Sequence, residues 1–238
     1  MRDSNQPAWS TILADSPLGL LVLNPRSESV THALSPATAR RKLISTLKNA
    51  YSGELGAINA YKGHRESVSD SAEKEMIYRI EVEEIIHRER VGEILVLLGE
   101  APSEPQDQAM DRIGKTLGFL CAWSGWFAPM YGAGLLESRN IKEYEEAAEY
   151  ALAAGHVEFL DDLLVMAEVE WEHEKFFREK CRTHFLYHWF PKWRVPPARE
   201  TIRKPFTWID YPEGQLRHQL NAEKMLCSGE NKGSSAVC

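Results

Sequence analysis

Four stretches of this sequence carry an apolar line at helical spacing, and acid breaks every one of them. In one, Ile77, Ile80, Glu84, His87, Val91, Ile94 and Leu98 share a single face at the three- and four-residue spacing of an α-helix. A second line, Phe159, Leu163, Met166, Glu170, His173 and Phe177, is broken at the same point by the same pair. Residues three apart are neighbours on a helix, so each pair sets a carboxylate beside an imidazole. Of the eight histidines, these two alone have an acid three positions earlier. Two further lines carry one acid each: Leu43, Leu47, Ala50, Glu54, Ala57 and Tyr61, then Phe127, Met130, Gly134, Glu137, Ile141 and Tyr144.

An apolar stripe is stable only when buried, so the chain reads as all-α, with four helices closing around one core and each turning charge inward. A single inward acid reads as a flank residue or as half of an ion pair. Four carboxylates in one core are different, because desolvation and mutual repulsion penalise each of them. No Lys or Arg lies on the four lines near these acids. A metal supplies the missing positive charge. One Glu from each of two helices, with Glu-x-x-His from each of the other two, is the ligand set of di-iron and di-manganese bundles. The expectation is a ferritin-like four-helix bundle with a di-metal centre in its core, ligated by Glu54, Glu84, His87, Glu137, Glu170 and His173. Spacing supports it: 30 residues separate Glu54 from Glu84 and 33 separate Glu137 from Glu170. Two helical hairpins in approximate two-fold repetition follow.

At 238 residues and 27.1 kDa, the chain suits one domain with extensions. Residues 1–34 read as an irregular extension, 35–181 as the bundle, and 182–238 as an aromatic and basic segment followed by a polar, partly disordered tail. Ser35 with Pro36 makes a helix start. Gly63 and the polar run to Ser71 read as the first hairpin turn, APSEPQDQ as a crossover to a new start near Asp111, and Gly155 as the break before the last helix. The stretch IGKTLGFLCAWSGWFAPMYGAGLL reads as one third helix kinked by Pro129. It is either a fully buried helix with close backbone contacts at Gly125, Gly132 and Gly134, or a face that enters one membrane leaflet or lines a channel for an apolar substrate.

A net charge of −7 argues against nucleic acid as a partner. The scattered Cys121, Cys181, Cys227 and Cys238 form no Cys-x-x-Cys and read as free thiols in a reducing compartment. The run Leu20 to Leu23 is too short for a signal peptide. The expected location is the cytoplasm, with a peripheral contact on the inner membrane through the third helix and the aromatic and basic residues around Trp189 and Trp193; the alternative for the latter is a plain aromatic cover over the bundle end.

Over about residues 40 to 180 the sequence resembles the demethoxyubiquinone hydroxylase family, the di-iron enzymes of ubiquinone biosynthesis. YSGELGAINAYKGH is similar to that family's first-helix signature, and the six acid and imidazole residues follow its order with nearly its spacing. The resemblance implies two iron ions, with Glu84 and Glu170 bridging, Glu54 and Glu137 terminal, and His87 and His173 giving one nitrogen to each. It implies an O2-dependent monooxygenase that hydroxylates a quinone-like or phenolic lipophilic substrate with electrons from a reductase or a reduced substrate. Tyr144, on the face of Glu137, is expected to act in catalysis by a hydrogen bond to substrate or by passing an electron. Where the family usually has a His-Tyr pair, this sequence has Glu143 and Tyr144. The alternative function is a rubrerythrin- or ferritin-like di-iron oxidase or ferroxidase that hydroxylates nothing.

Overall fold

The computed structural model describes residues 34–221, so the expected N-terminal extension and the end of the polar tail lie outside the described residues. Among the described residues every regular element is helical and no strand occurs. Five long helices account for most of the chain: α1 Pro36–Glu66, α2 Ser71–Leu97, α3 Glu104–Trp123, α4 Phe127–Ala154 and α5 Leu160–Arg182. The Ser35 side chain caps α1 by accepting from the Thr38 amide, and Asp70 caps α2 by accepting from Glu73 N at 2.9 Å. Gly155, at φ 83°, ends α4 in the left-handed conformation that a side chain disfavours.

Helices α1, α2, α4 and α5 pack into a bundle whose core is divided by height. One apolar cluster holds Leu43, Leu47, Val91, Ile94, Ala147 and Leu163, and the other holds Ile77, Ile80, Phe127, Met130 and Phe177. On every one of the four helices, the acid of the broken stripe lies between the residues given to the two clusters. The polar layer is thus sandwiched between two dry ones.

Three local readings of the sequence are corrected. Gly63 is not in a turn, since α1 continues to Glu66. The segment read as a crossover loop is mostly helix, because α3 begins at Glu104. The long third helix is two helices, separated where Gly125 takes φ 76°. Pro129 therefore falls in the first turn of α4, where a missing N–H costs nothing, and it has no helix interior to kink.

Helix α3 is not buried all round. Its buried residues are Gly114 and Gly118, while Phe119 and Trp123 are 66% and 79% exposed. It lies along α1 at backbone distance: a methyl group on Gly118 would sit 2.5 Å from the Asn59 carbonyl oxygen, and one on Gly63 would overlap the Gly118 backbone. The expected close contacts at Gly125 and Gly132 are absent, as nothing lies within 4 Å of an added Cβ at either. At Gly134 they are present, against Trp193 and Phe177.

The segment after α5 folds back on the bundle. Ile202, Phe206, Leu216 and Leu220 are buried in the first apolar cluster. Arg203 bridges Glu168 at 2.5 Å and Asp161 at 2.8 Å, and the amides of Gly214 and Leu216 donate to Asp161 and Asp162 at 2.8 Å each. Apolar anchors and part-buried ion pairs make this polar segment a strap, while the tail expected from Ser228 lies outside the described residues.

The α1–α3 contact gives a first expected outcome. Gly118→Ala should destabilise the fold by about 1–3 kcal/mol, because backbone must move to admit the methyl. Gly132→Ala, also within a helix but with open space around it, should be neutral or stabilising by up to about 1 kcal/mol. Denaturant unfolding of the two variants measures both.

Candidate metal centre

Each broken stripe delivers its acid to the same layer. Glu54 comes from α1, Glu84 and His87 from α2, Glu137 from α4, and Glu170 and His173 from α5, and all six are buried. They form two overlapping groups able to hold a metal ion: Glu54, Glu84, His87 and Glu170, then Glu84, Glu137, Glu170 and His173. Within each group the possible ligand atoms lie within 4.8 Å of one another. Glu84 and Glu170 belong to both. The structure therefore brings together every ligand residue expected from the sequence.

His87 Nδ1 is 3.0 Å from Glu170 and 3.6 Å from Glu84, and His173 Nδ1 is 3.3 Å from Glu84 and 3.7 Å from Glu170. Close approach is not the same as satisfaction. Both oxygens of Glu84, Oε2 of Glu54 and Nδ1 of His173 are buried with no hydrogen-bond partner. Buried polar atoms are rarely left so, and here they converge on one another. Hard oxygen donors with two imidazoles suit a first-row dication such as ferrous or manganous ion, so the residues fit the group.

Around the ligands, the helices are cross-linked in a pattern that stripe reading did not give. Tyr61 and Tyr144 stand seven residues after Glu54 and Glu137, yet each donates to the acid of the other helix: Tyr61 to Glu137 and Tyr144 to Glu54. Tyr144 also meets the His87 ring edge-on at 5.9 Å between centroids. Asn140 donates to Glu137 at 2.9 Å, and Glu83 lies 2.8 Å from Nε2 of His173. That contact holds the His173 Nε2 proton and leaves Nδ1 facing the ligand layer, as an outer carboxylate does for a metal-binding imidazole. His87 has no such support at Nε2. The residue corresponding to Glu83 in the other hairpin is Val169.

Asn140 was legible by the same three-residue rule that found the histidines, applied to Glu137. Glu83 was not, because it sits off the stripe and only the packing of α2 with α5 reveals its partner.

Electrostatics divides the carboxyls. Burial, then Glu84, raises Glu54 well above the usual range, and burial, then Glu170, does the same to Glu137. Burial and Glu170 would also raise Glu84, but the imidazoles of His173 and His87 outweigh them and hold it low. Burial would raise Glu170 too, and its two histidine neighbours overcome that. Burial opposes charge on the imidazoles, yet Glu170 and Glu84 lift His87 to about 9, and Glu170 with Glu83 lifts His173 well above its ordinary value. Without metal, then, the surroundings favour the protonated forms of Glu54 and Glu137 and the charged forms of the two imidazoles.

No family model, curated protein or solved structure matches this chain. The site stands on its own geometry, which includes a cavity of about 520 Å³ beside the ligand layer. Its walls come from α1, α3 and α4, among them Ala57, Met110, Leu117, Leu120, Pro129 and Leu136. Glu54, Glu137 and Tyr144 line it too, so cavity and ligand layer share a boundary. Asn140 and Glu143 lie on the same wall, and burial, then Glu170, pushes Glu143 up to about 7.

Two outcomes follow. Ferrous or manganous ion should bind at about two per chain, and Glu84→Ala and Glu170→Ala should each abolish most of it by metal analysis; full retention in both would exclude this site. Loading should also release protons, since groups whose surroundings favour the protonated form, Glu54, Glu137, His87 and His173, must deprotonate to ligate. Apparent affinity therefore rises with pH and is lost as pH falls, and calorimetry in buffers of different ionisation enthalpy counts the protons.

Proposed function

We propose that this chain is a ferritin-like di-iron monooxygenase that uses O2 to hydroxylate a quinone-like or phenolic lipophilic substrate. The observation that carries this reading is the shared boundary: an apolar cavity of ring-admitting size opens onto Glu54, Glu137 and Tyr144. A site for storing or oxidising hydrated iron needs a polar route to its ligands. This route is walled by aliphatic side chains from three helices, and Ile113, Leu117, Leu120 and Leu136 extend it to exposed positions.

When bound, a ferrous pair supplies the redox chemistry that reduces O2, one oxygen atom entering the ring and the other leaving as water, with two electrons from a reductase or a reduced substrate. The protein's own part is positional. Tyr61 and Tyr144 tie each acid-only helix to the other, which fixes the Glu54 and Glu137 carboxylates on the cavity side. Burial, then the adjacent carboxylates, raises both phenols well above their usual value, so they remain hydrogen-bond donors through the physiological range. Glu83 and Asn140 orient His173 and Glu137. The apolar walls keep bulk water from the reacting face.

Among the described residues no helix is long and apolar enough to cross a membrane. Exposed Phe119, Leu120 and Trp123 on α3 give a lipophilic substrate an apolar surface beside the cavity, and the same surface suits peripheral contact with a bilayer.

Single turnover of the ferrous protein with labelled dioxygen and a panel of quinols and phenols tests this. Label should enter a ring product, and iron oxidation should quicken when the right substrate is present. Equal oxidation rates with every substrate, and no labelled product, would assign the chain to the oxidase class.

A further inference from the structure

One polar side chain in the cavity serves none of the roles above. His64 lies on α1 ten residues beyond Glu54, about 15 Å along the helix axis. It lines the cavity, is 2% exposed, and its Nε2 is buried without a hydrogen-bond partner. Its ring stacks with Tyr61 at 6.0 Å and with Phe177 at 5.6 Å between centroids, which fixes its plane. Burial holds the imidazole down to about 3, so it is uncharged at neutral pH. A buried, oriented, uncharged imidazole with an idle nitrogen is costly unless something fills its bonding capacity. The structure offers no protein partner. The cavity offers space for a ligand atom.

We propose that His64 is a substrate-positioning residue, whose Nε2 hydrogen-bonds an oxygen substituent on the side of the substrate ring away from the ligand layer. This deepens the hydroxylase reading and rests on it. A neutral imidazole accepts from a hydroxyl in one tautomer and donates to a carbonyl or ether oxygen in the other, so quinol, quinone and methoxy substituents all satisfy it. A wholly hydrocarbon lipophile does not, and it would leave the nitrogen as idle as it is in the empty cavity. Glu54 and His64 line the same cavity, so a ring bound there has both the ligand layer and the imidazole on its walls. The residue thereby selects rings with at least one oxygen substituent besides the position that reacts, and it sets which edge of the ring is presented.

Direct binding tests the assignment without turnover. The full chain, kept free of oxygen, is titrated with a short-chain alkyl-1,4-benzoquinol and with the alkylbenzene of the same chain. His64→Leu, close in size and without nitrogen, should weaken the quinol about tenfold and leave the alkylbenzene unchanged, because a buried hydrogen bond is lost only in the first case. His64→Gln, which restores a donor and an acceptor, should recover most of the quinol affinity. Equal weakening of both ligands would make His64 a packing residue and overturn the proposal. So would no change in either, or a wild-type chain that binds neither. Discrimination by His64 with no labelled product in single turnover would retain the positioning role for a bound oxygenated ring and reject hydroxylation. Labelled product without discrimination would do the reverse.

Discussion

The structure depends on one electrostatic constraint: four carboxyl groups and two imidazoles share one buried layer. Such a layer is tolerable only at near-zero charge. Protons on Glu54, Glu137, His87 and His173, whose surroundings favour them, bring the layer toward it, and bound cations in their place would do the same. Tyr61, Tyr144 and Asn140 donate to the acids from the sides, while in the centre His87 meets Glu170 and both oxygens of Glu84 keep no hydrogen-bond partner. The apolar clusters on either side then have a mechanical task as well as a stabilising one. They fix the heights at which four helices deliver their acids, and a shift of one turn in any helix would carry its acid about 5 Å out of the layer.

What could be read from the sequence was what helical periodicity encodes. A broken stripe names both the helix and the inward residue, so the six ligand residues and the pairing of helices into hairpins were legible without coordinates. Periodicity says nothing about which neighbour a side chain meets. Hence Tyr61 and Tyr144 were placed on the correct faces but not paired with each other's acids, and Glu83, one residue off the stripe, was invisible. The third-helix stretch misled for a related reason. Glycine and apolar residues there suggested burial, whereas the glycines let α3 lie against α1 and the large side chains face outward or into the cavity. His64 stood in plain view within YKGH, but only its burial and its idle Nε2 give it a role.

The strap formed by the residues after α5 shows how composition hides structure. Arg203, Asp161, Glu168, Asp162 and Arg90 are individually ordinary charged residues, yet in two adjacent ionic groups Arg203 joins the strap to α5 through Asp161 and Glu168, and Arg90 joins α2 to α5 through Asp162. Asp161 is held below the usual carboxylate range, although burial acts against this, by the Gly214 amide and by two arginines. Because α5 carries Glu170 and His173 about two to three turns further on, these ion pairs anchor a helix that delivers two residues to the layer.

Helix α3 carries none of the six candidate ligands; it is seated on α1 at Gly114 and Gly118 and tied to α2 by the Arg88–Asp107 ion pair, and it supplies one wall of the cavity. Descendants of such a sequence can exchange Met110, Ile113, Leu117 or Leu120 and so reshape the cavity, while inheriting the buried acid and imidazole layer intact. A scaffold divided in this way is free to vary its cavity one wall residue at a time, provided the glycines that seat the wall stay in place.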